Sequence, residues 1–423
     1  MGNAAMSFVL KRIGLRFDSD IGTYSHERTG IPLTVFFDDE QDQLILLDQT
    51  KLPYETTIWS TSDWRKAALV GIKEMVTRGS QAIGVAGGYA MLLAAISCSK
   101  EGKDFFGALE VCAGIIRNAR PTAAPLPWAV DMTLNYARKL EMEGRSIDQI
   151  VQGVKEVADY ILSSDLALNC HLREEGKKFL ADGDVVMTHC NGGSLSSTYG
   201  GHALGMLEES FVEGLDIKVV AKETRPRCQG YKLTVWELNR AGVPTTIITD
   251  NMITSAIREY HISKTILGVD RVVRDGSVAN KVGSADVAYI MQSHGIPFYY
   301  ATSYSTIDLE TERGEDIPIE ERSKDEITYF YRLEAEQKKK DGTISQDALS
   351  EWPPTESLAG TNHPGKGQIA LYNPAFDVTP PKLIDFIITD IGAFAPEQIR
   401  TLSDDLMRQK VKERLGEWEI SSY

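Results

Sequence analysis

Three short segments of the sequence combine side chains that can move protons or hold an anion. Cys190 comes directly after the predicted strand 185–189, and Asp270 ends the apolar run 265–269. Between them lies the segment 223–230, with two arginines and a glutamine. A helix N-terminus favours a thiolate and also attracts anions. The three segments therefore predict an acid–base site, with a thiol, a carboxyl group and cations to bind an anion.

A fourth segment, 280–283, adds Asn280 and Lys281, and Lys281 suits a phosphate group as a point charge. Each residue alone has an ordinary structural explanation. A cysteine is commonly a small buried side chain, an aspartate a cap, and an arginine one half of a surface ion pair. His189 is interpreted as a packed, hydrogen-bonded histidine. The convergence of several such residues at strand ends favours a functional site.

The elements that must position these segments alternate regularly from residue 184 onward. Strands are predicted at 185–189, 217–221, 245–249, 265–270, 297–301 and 386–389. Helices are predicted at 195–209, 230–241, 252–259 and 284–294, the last one opened by the segment that carries Asn280 and Lys281. This alternation requires parallel connections, and therefore an α/β fold with a doubly wound, Rossmann-like sheet. Ligands of such sheets bind beyond the carboxyl ends of the strands.

The N-terminal part of the chain has a different pattern. Short β-like runs at 35–37 and 44–48 predict a small antiparallel sheet. Helices are predicted at 62–73, 82–98, 105–119, 127–143, 147–164 and 166–181. We expect a smaller α+β domain, mostly helical, over 1–165 and a Rossmann-like domain over 166–423. A polar, charged segment at about 332–368 is interpreted as an insert, partly helical, and 396–416 as an amphipathic helix.

Composition narrows the class of protein. The 423 residues are 42% hydrophobic and 25% charged, which is typical of a globular chain. A net charge of −15 argues against broad contact with nucleic acid or anionic membrane. Five cysteines without a CxxC pair predict reduced thiols and a cytoplasmic protein. We expect no signal peptide, and no membrane helix because we find no apolar stretch of 18 residues.

Motifs for common cofactors are missing from the sequence. The seven histidines show no metal-ligand spacing, and neither GxGxxG nor a P-loop motif occurs. The sequence predicts neither a metal site nor a nucleotide cofactor.

Ordered segments of the chain resemble the methylthioribose-1-phosphate isomerase family, the aldose-1-phosphate isomerases of methionine salvage. The resemblance covers residues 45 to 395 apart from the insert. The segments that carry it are 78–84, 120–122, 188–191, 223–230, 248–252, 268–271, 279–283, 317–322 and 373–380.

This resemblance implies a small N-terminal domain on a Rossmann-like domain, a homodimer, and an active site between the two domains that uses no metal or organic cofactor. Cys190 and Asp270 match the catalytic pair of the family. The positions that the resemblance assigns to the substrate's phosphate or hydroxyl groups are Arg78, Gly79, Ser80, Arg120, Gln229, Asn280 and Lys281.

The reaction implied by the resemblance needs both members of the pair. A sugar phosphorylated at C1 opens only when its ring oxygen is protonated as the C1–O bond breaks, and Asp270 is the candidate acid. Apolar burial would raise the pKa of this carboxyl group. Hydrogen then moves from C2 to C1. Either Cys190 carries it as a proton through an enol phosphate, or a hydride shifts directly and Cys190 handles the hydroxyl protons.

The chain departs from the family pattern at several positions. Ser80-Gln81 replaces Ala-Pro, Lys222 replaces an acidic residue, Cys228 replaces an apolar residue, and 123–127 has an unfamiliar sequence. If Gln81 and Lys222 face the pocket, they suit a more polar or anionic substrate. The alternatives to 5-methylthioribose 1-phosphate are 5-deoxyribose 1-phosphate, ribose 1,5-bisphosphate or a shorter sugar phosphate. A further hypothesis is that the chain is a non-catalytic regulatory subunit, as found in a translation-initiation exchange complex of the same superfamily.

Overall fold

The computed structural model describes residues 2–101, 104–120, 125–345 and 370–420, with the backbone alone for 2–5. Its helices are α1 (Gly2–Arg12), α2 (Trp64–Lys66), α3 (Ser80–Glu101), α4 (Phe105–Arg117), α5 (Pro125–Met142), α6 (Ile147–Lys177), α7 (His202–Val212), α8 (Val235–Arg240), α9 (Ile253–Tyr260), α10 (Ser284–Ser293), α11 (Asp325–Lys340) and α12 (Asp404–Gly416). Its strands are β1 (Leu15–Asp18), β2 (Thr23–His26), β3 (Val35–Asp38), β4 (Gln43–Leu47), β5 (Ile58–Thr61), β6 (Val185–Thr188), β7 (Lys218–Lys222), β8 (Thr245–Ile248), β9 (Lys264–Leu267), β10 (Arg271–Val273), β11 (Val278–Lys281), β12 (Phe298–Thr302), β13 (Ile307–Asp308), β14 (Phe376–Thr379), β15 (Phe386–Thr389) and β16 (Gly392–Phe394).

A seven-stranded sheet forms the centre of the C-terminal part, in the order β16-β15-β12-β9-β6-β7-β8. Six strands are parallel and β16 pairs antiparallel at one edge. Their apolar sequences are those of strands buried on both faces. In chain order the parallel strands run 3-2-1-4-5-6, the Rossmann arrangement, in which the connections reverse direction between the first and fourth strands. The predicted α/β fold is confirmed, and its switch point lies between β6 and β9.

A second sheet of four short strands was not predicted. Its order is β13-β10-β11-β14, and β10 follows β9 after only three residues, 268–270. The prediction that Asn280 and Lys281 open a helix was wrong: both lie on β11, and α10 begins only at Ser284. The backbone of Gly283, at φ +96°, makes the turn between the two elements. This sheet holds Lys281 beside the carboxyl end of β9.

The N-terminal part contains the predicted antiparallel sheet, formed by β3, β4 and β5, and a separate hairpin of β1 and β2. The sequence pattern missed α1. Helix α3 packs closely against α5, since a Cβ atom at Gly84 would lie 2.9 Å from the Cβ of Pro125. The expectation that no apolar stretch of 18 residues exists was wrong. Helix α3 is long and apolar enough to cross a membrane, but 83% of its most apolar stretch is buried, as in a core helix.

Helix α6 replaces two predicted helices. The sequence predicted helices at 147–164 and 166–181, whereas one helix of 31 residues runs without a break. Ser146 begins it with a capping box, in which its side chain accepts from the amide of Gln149. Residue 165, at which we predicted the domain boundary, lies inside α6, and the division into two domains stays a prediction.

Two further predictions need correction. The segment 195–201 is not helical, and α7 starts only at His202, so a long loop joins β6 to α7. The tail predicted as one helix is a 3-10 turn at Pro396–Thr401 followed by α12. In the predicted insert, α11 is helical from residue 325 to 340, and residues 346–368 lie outside the described part of the chain.

Candidate active site

Cys190 lies two residues beyond the end of β6, at the switch point of the large sheet. Its backbone has φ +63°, a left-handed conformation that a residue with a Cβ atom rarely adopts. The amide of Cys190 donates to Thr224 Oγ1 at 2.8 Å, and its carbonyl oxygen accepts from Thr234 Oγ1 at 2.5 Å. The residue as a whole is partly exposed. Two threonines from neighbouring segments therefore hold the residue in an unusual backbone conformation that presents its thiol.

Asp270 lies three residues beyond β9, the strand beside β6. The loops that follow these two strands touch, since a Cβ atom at Gly192 would lie 2.9 Å from the Cα of Gly268. Asp270 is accessible to solvent even though protein surrounds it on most sides, so it lies in a cleft. The structure thus brings the predicted thiol and carboxyl group together at the switch point.

The cleft changes the proton affinity of both groups. Burial raises the pKa of Asp270, and the nearby charges of Lys281 and Arg78 oppose this rise. Burial also raises the pKa of the Cys190 thiol; Lys281 lowers it, and the charge of Asp270 raises it further. Both groups therefore hold their protons to a higher pH than they would in water.

Four cations act on the pair, Arg78, Arg120, Lys281 and Arg322, and a fifth, Arg227, lies near Arg78 and Arg120. Burial and the repulsion of Arg227, Arg120 and Arg322 lower the pKa of Arg78 to about 10, against the charge of Cys190. In the described part of the chain, neither Arg78 nor Arg120 has an ion pair with a carboxylate, and Nη1 of Arg120 is buried without a hydrogen-bond partner. Partly buried cations without a carboxylate partner are suited to an anionic ligand.

Two of these cations were not among the predicted site residues. Arg227 and Arg322 contact Glu326 at the start of α11, at 3.0 Å and 3.3 Å. For Arg227 the sequence left two alternatives open, a cation of the site and one half of a surface ion pair, and the structure shows its ion pair with Glu326. Arg322 lies in the segment 317–322, which carried the resemblance without any role being assigned to it. Its position in that segment was the only signal that could have identified it.

Lys281 is buried on β11. Its Nζ donates to the carbonyl oxygen of Ala375 at 2.8 Å and lies 4.7 Å from the centre of the Phe376 ring. Burial lowers its pKa, whereas Cys190 and Asp270 raise it. The side-chain Nδ2 of Asn280 donates to Ser284 Oγ at 3.0 Å.

Gly79 and Ser80 connect Arg78 to helix α3. Gly79 has φ +97°, and a Cβ atom there would lie 2.3 Å from the Cα of Ser196, so no other residue fits. Ser80 is the first residue of α3. Gln229, two residues after Arg227, is buried, and its Oε1 has no hydrogen-bond partner among the described residues. The structure shows no direct contact of Gln229 or Asn280 with Cys190 or Asp270.

Lys222 and Gln81, two of the residues that depart from the family pattern, differ in their polar contacts. Lys222 is buried, and its Nζ lies 3.6 Å from Asp250 Oδ1, so its charge is paired with a carboxylate. Burial lowers its pKa. Gln81 is also buried; its Nε2 donates to Ser305 Oγ at 3.4 Å, and its Oε1 lacks a partner. Of the two, Gln81 alone has a free polar atom to offer a ligand.

His189 is fully packed. Its Nε2 lies 3.0 Å from the carbonyl oxygen of Val282, and burial lowers its pKa well below the usual value. The interpretation of His189 as a hydrogen-bonded structural residue is confirmed. Among the described residues, no three His, Cys, Asp or Glu side chains are grouped to hold a metal ion.

A family model described as "Initiation factor 2 subunit family" matches residues 76–396. The chain belongs to the initiation factor 2 subunit family. Curated relatives in it include a methylthioribose-1-phosphate isomerase of Petrotoga mobilis, 37% identical over 84% of this chain and 93% of the relative. Another, from Synechocystis, bears the same name and is 38% identical over 85% of this chain and 95% of the relative. These relatives confirm the predicted resemblance to that isomerase family.

Two solved structures have the same fold over most of their length. The 5-methylthioribose 1-phosphate isomerase of Pyrococcus horikoshii has a TM-score of 0.70 and 30% identity, covering 91% of this chain and 96% of that one. The structure of a translation initiation factor eIF-2B, subunit delta, from A. fulgidus also has a TM-score of 0.70. It is 31% identical and covers 89% of this chain and 99% of that one. The fold of the family is therefore shared by proteins named as an enzyme and as an initiation factor.

Proposed function

We propose that this protein is an aldose-1-phosphate isomerase that converts 5-methylthioribose 1-phosphate to the ketose 1-phosphate. The observation that carries this proposal is the placement of Cys190 and Asp270 on touching loops at the switch point, among cations that lack a carboxylate partner. The names of the curated relatives support it. A scaffold subunit would have no need of this combination.

Asp270 is proposed as the acid that opens the sugar ring. Its raised pKa keeps part of the population protonated at a higher pH than a free aspartate would allow. A bound phosphate dianion would partly neutralise Arg78, Arg120 and Lys281, and these charges oppose the rise. Substrate binding itself therefore raises the pKa of Asp270 further and supplies the proton that the ring oxygen needs as the C1–O bond breaks.

Cys190 is proposed to act in the transfer of hydrogen from C2 to C1. In the proton route, the thiolate takes the C2 proton, an enol phosphate forms, and the thiol returns the proton to C1. In the hydride route, hydrogen moves with its electron pair and Cys190 serves the hydroxyl groups. Deuterium at C1 after turnover in D2O identifies the proton route, because only in that route does the hydrogen pass through a thiol that can exchange with the solvent.

The substituent at C5 is tested with a panel of pentose 1-phosphates that carry methylthio, hydrogen, hydroxyl or phosphate there. NMR follows the ketose 1-phosphate, and Cys190→Ala and Asp270→Asn serve as inactive controls. We expect turnover of the methylthio compound that is lost in both variants. Turnover of no member would contradict the proposed function and favour a binding subunit.

A second candidate substrate class rests on Gln81. This amide stands where the family has proline, and its buried Oε1 is free to accept a hydrogen bond. A hydroxyl group at C5 could donate a hydrogen bond to this oxygen, which the methylthio group cannot do. Preference for such a panel member, reversed by Gln81→Pro, would identify the protein as a paralogue with another sugar phosphate as substrate.

The roles of the remaining predicted binding residues, the homodimer, the cytoplasmic location and the place in methionine salvage stay proposals. We propose that Arg78, Arg120 and Lys281 bind the phosphate group, and that Gly79, Ser80, Gln229 and Asn280 line the same cleft. Light scattering after size-exclusion chromatography tests the dimer, with a mass near 94 kDa expected from two chains of 46.8 kDa. A mass of one chain would contradict it.

A further inference from the structure

The loop that follows Cys190 wraps around a buried carboxylate. Oε1 of Glu237, on helix α8, accepts from Nδ2 of Asn191 at 2.7 Å. Its Oε2 accepts from the amide of Ser194 at 2.6 Å, and the amide of Leu195 donates to Oε1 at 3.4 Å. Glu237 is fully buried, so these donors replace the water that an exposed carboxylate would have. The carboxylate therefore fixes the path of the chain directly after Cys190.

The same network extends to the backbone of Cys190. Nδ2 of Asn191 lies 3.2 Å from Thr234 Oγ1, and this hydroxyl group donates to the Cys190 carbonyl oxygen. Glu237 is three residues after Thr234, so both belong to one turn and helix. A left-handed non-glycine residue persists only where its surroundings hold it. Glu237, Asn191 and Thr234 form such surroundings on one side of Cys190.

The far end of the loop is held by other residues. Gln49 Nε2 donates to the carbonyl oxygen of Leu195 at 3.0 Å, and Thr34 Oγ1 donates to that of Ser197 at 3.1 Å. The contact of this loop with Gly79, next to Arg78, involves Ser196 and lies within this second group. Loss of the Glu237 contacts should therefore disturb the thiol more than the cations.

We propose that Glu237 is a positioning residue, which holds Cys190 in its reactive backbone conformation through Asn191 and the amides of the loop. The inference rests on the proposed function only for its kinetic consequences. Glu237 touches neither Cys190 nor the cleft cations directly, and it acts through the residues that it binds.

The charge state of Glu237 gives this role a pH dependence. Burial raises its pKa to about 7, and the hydrogen bonds from Asn191, Ser194 and Leu195 lower it. The other carboxyl group at this place is Glu208 of α7, whose own pKa is raised by burial and by Glu237, with Arg173 acting in the opposite direction. Amide donors bind the ionised form of Glu237 more strongly, so acidification should loosen the loop.

The test compares Glu237→Gln with Glu208→Gln. Both replace a buried carboxyl group by an amide of the same shape, but Glu208 makes no hydrogen bond to the Cys190 loop, and its Oε1 has no partner among the described residues. We expect kcat to fall about 10- to 100-fold in Glu237→Gln with KM near the wild-type value. Glu208→Gln should keep the kcat of the wild type. A wild-type kcat in Glu237→Gln would overturn the proposal.

Two further readouts separate positioning from a general structural role. In the wild type, protonation of Glu237 should lower kcat toward acid pH, and we call this fall the acid limb of the pH profile. The acid limb should vanish in Glu237→Gln. In Asn191→Ala the limb should move to higher pH, because loss of the Asn191 hydrogen bond raises the pKa of Glu237. Asn191→Ala also keeps the test open if Glu237→Gln does not fold. An unchanged acid limb in Asn191→Ala would count against the proposal.

Hydrogen exchange tests the geometry without any substrate. The peptide that covers 190–197 should exchange at least tenfold faster in Glu237→Gln than in Glu208→Gln, since two of its amides lose a charged acceptor. If the wild type turns over no sugar but this difference appears, the proposed function fails and the loop assignment stands. Equal exchange in the two variants would overturn the assignment itself.

Discussion

Two buried arginine regions in this protein serve opposite purposes. Arg173, on α6, is surrounded by partners: Glu209, the carbonyl oxygen of Gly200 at 2.9 Å and the Sγ of Cys170 at 3.1 Å. Burial works against its charge, but Cys170 and Glu209 raise its pKa above the usual value. In the cleft, the pKa of Arg78 is lowered instead, because burial disfavours its charge and most of its charged neighbours are other arginines.

The difference shows how a ligand site can be distinguished from a structural ion pair. Arg173 is buried, Arg78 and Arg120 are partly buried, and both regions contain a cysteine close by. At Arg173 the protein supplies the negative charge itself, whereas at Arg78 and Arg120 the described chain supplies none within ion-pair distance. A cation buried without its counter-charge costs stability, which is recovered when an anion binds. The excess of positive charge in the cleft thus indicates that its ligand is an anion.

The largest effect is expected where the cleft performs chemistry. Cys190→Ala or Asp270→Asn should each lower kcat about 10²–10⁴-fold, because each removes a positioned acid–base group. Circular dichroism and thermal unfolding serve as controls for the fold. Cys170→Ala, beside Arg173, is the matched thiol variant and should leave kcat unchanged. A kcat within fivefold of the wild type for Cys190→Ala would contradict the assignment of acid–base chemistry to the cleft.

The next effect concerns stability rather than activity. Arg173→Met should lower the free energy of unfolding by about 3 kcal/mol, because the partly buried Glu209 is then left with only Lys177 at 3.4 Å to face it. Arg78→Met removes a cation that repels its neighbours and should cost less than about 1 kcal/mol. Urea unfolding measures both values. Equal losses would mean that Arg78 also has a structural partner.

Substrate binding should depend on Arg78 more than on Arg173, the reverse of the order expected for stability. Arg78→Met should raise KM about 10- to 100-fold, since a charged hydrogen bond to the phosphate group is lost. Arg173→Met should leave KM unchanged wherever it remains folded. Steady-state kinetics with the substrate from the panel give both numbers, and an unaltered KM in Arg78→Met would place the phosphate group elsewhere.

The smallest effect is a shift of the pH profile. Arg120 lowers the pKa of Asp270, so Arg120→Met should raise it. The protonated acid then persists to higher pH, and the alkaline limb of kcat should move upward at saturating substrate. The control is Arg274→Met, a residue on the surface whose partner is Glu312. A downward shift in Arg120→Met would contradict the role of Asp270 as the acid.

The sequence predicted the residues that follow the strands, because the apolar runs of β6 and β9 are unambiguous and their carboxyl ends must share one edge. It also predicted the alternation that gives the parallel sheet. The strand pattern alone is enough to single out Cys190 and Asp270.

Other features depend on contacts that no local pattern reveals. The strands β10, β11, β13 and β14 are two to four residues long, and the pairing of β11 with β14 joins segments about 100 residues apart. The loop 195–201 has helical spacing of apolar residues, but its backbone groups bind Thr34, Gln49 and Glu237 instead. Arg322 reaches the cleft from a segment with no pattern of its own. These features are determined by tertiary contacts.

The unbroken helix α6 has a consequence for how the molecule unfolds. At 31 residues it is about 46 Å long. Gly153, near its start, lies against Leu140 of α5, whereas Gly176, near its end, lies against Met206 of α7. Melting either part would remove packing from one end of a single helix and expose the other. We therefore expect one calorimetric transition for the whole chain, and a fragment that ends at residue 165 should not fold by itself.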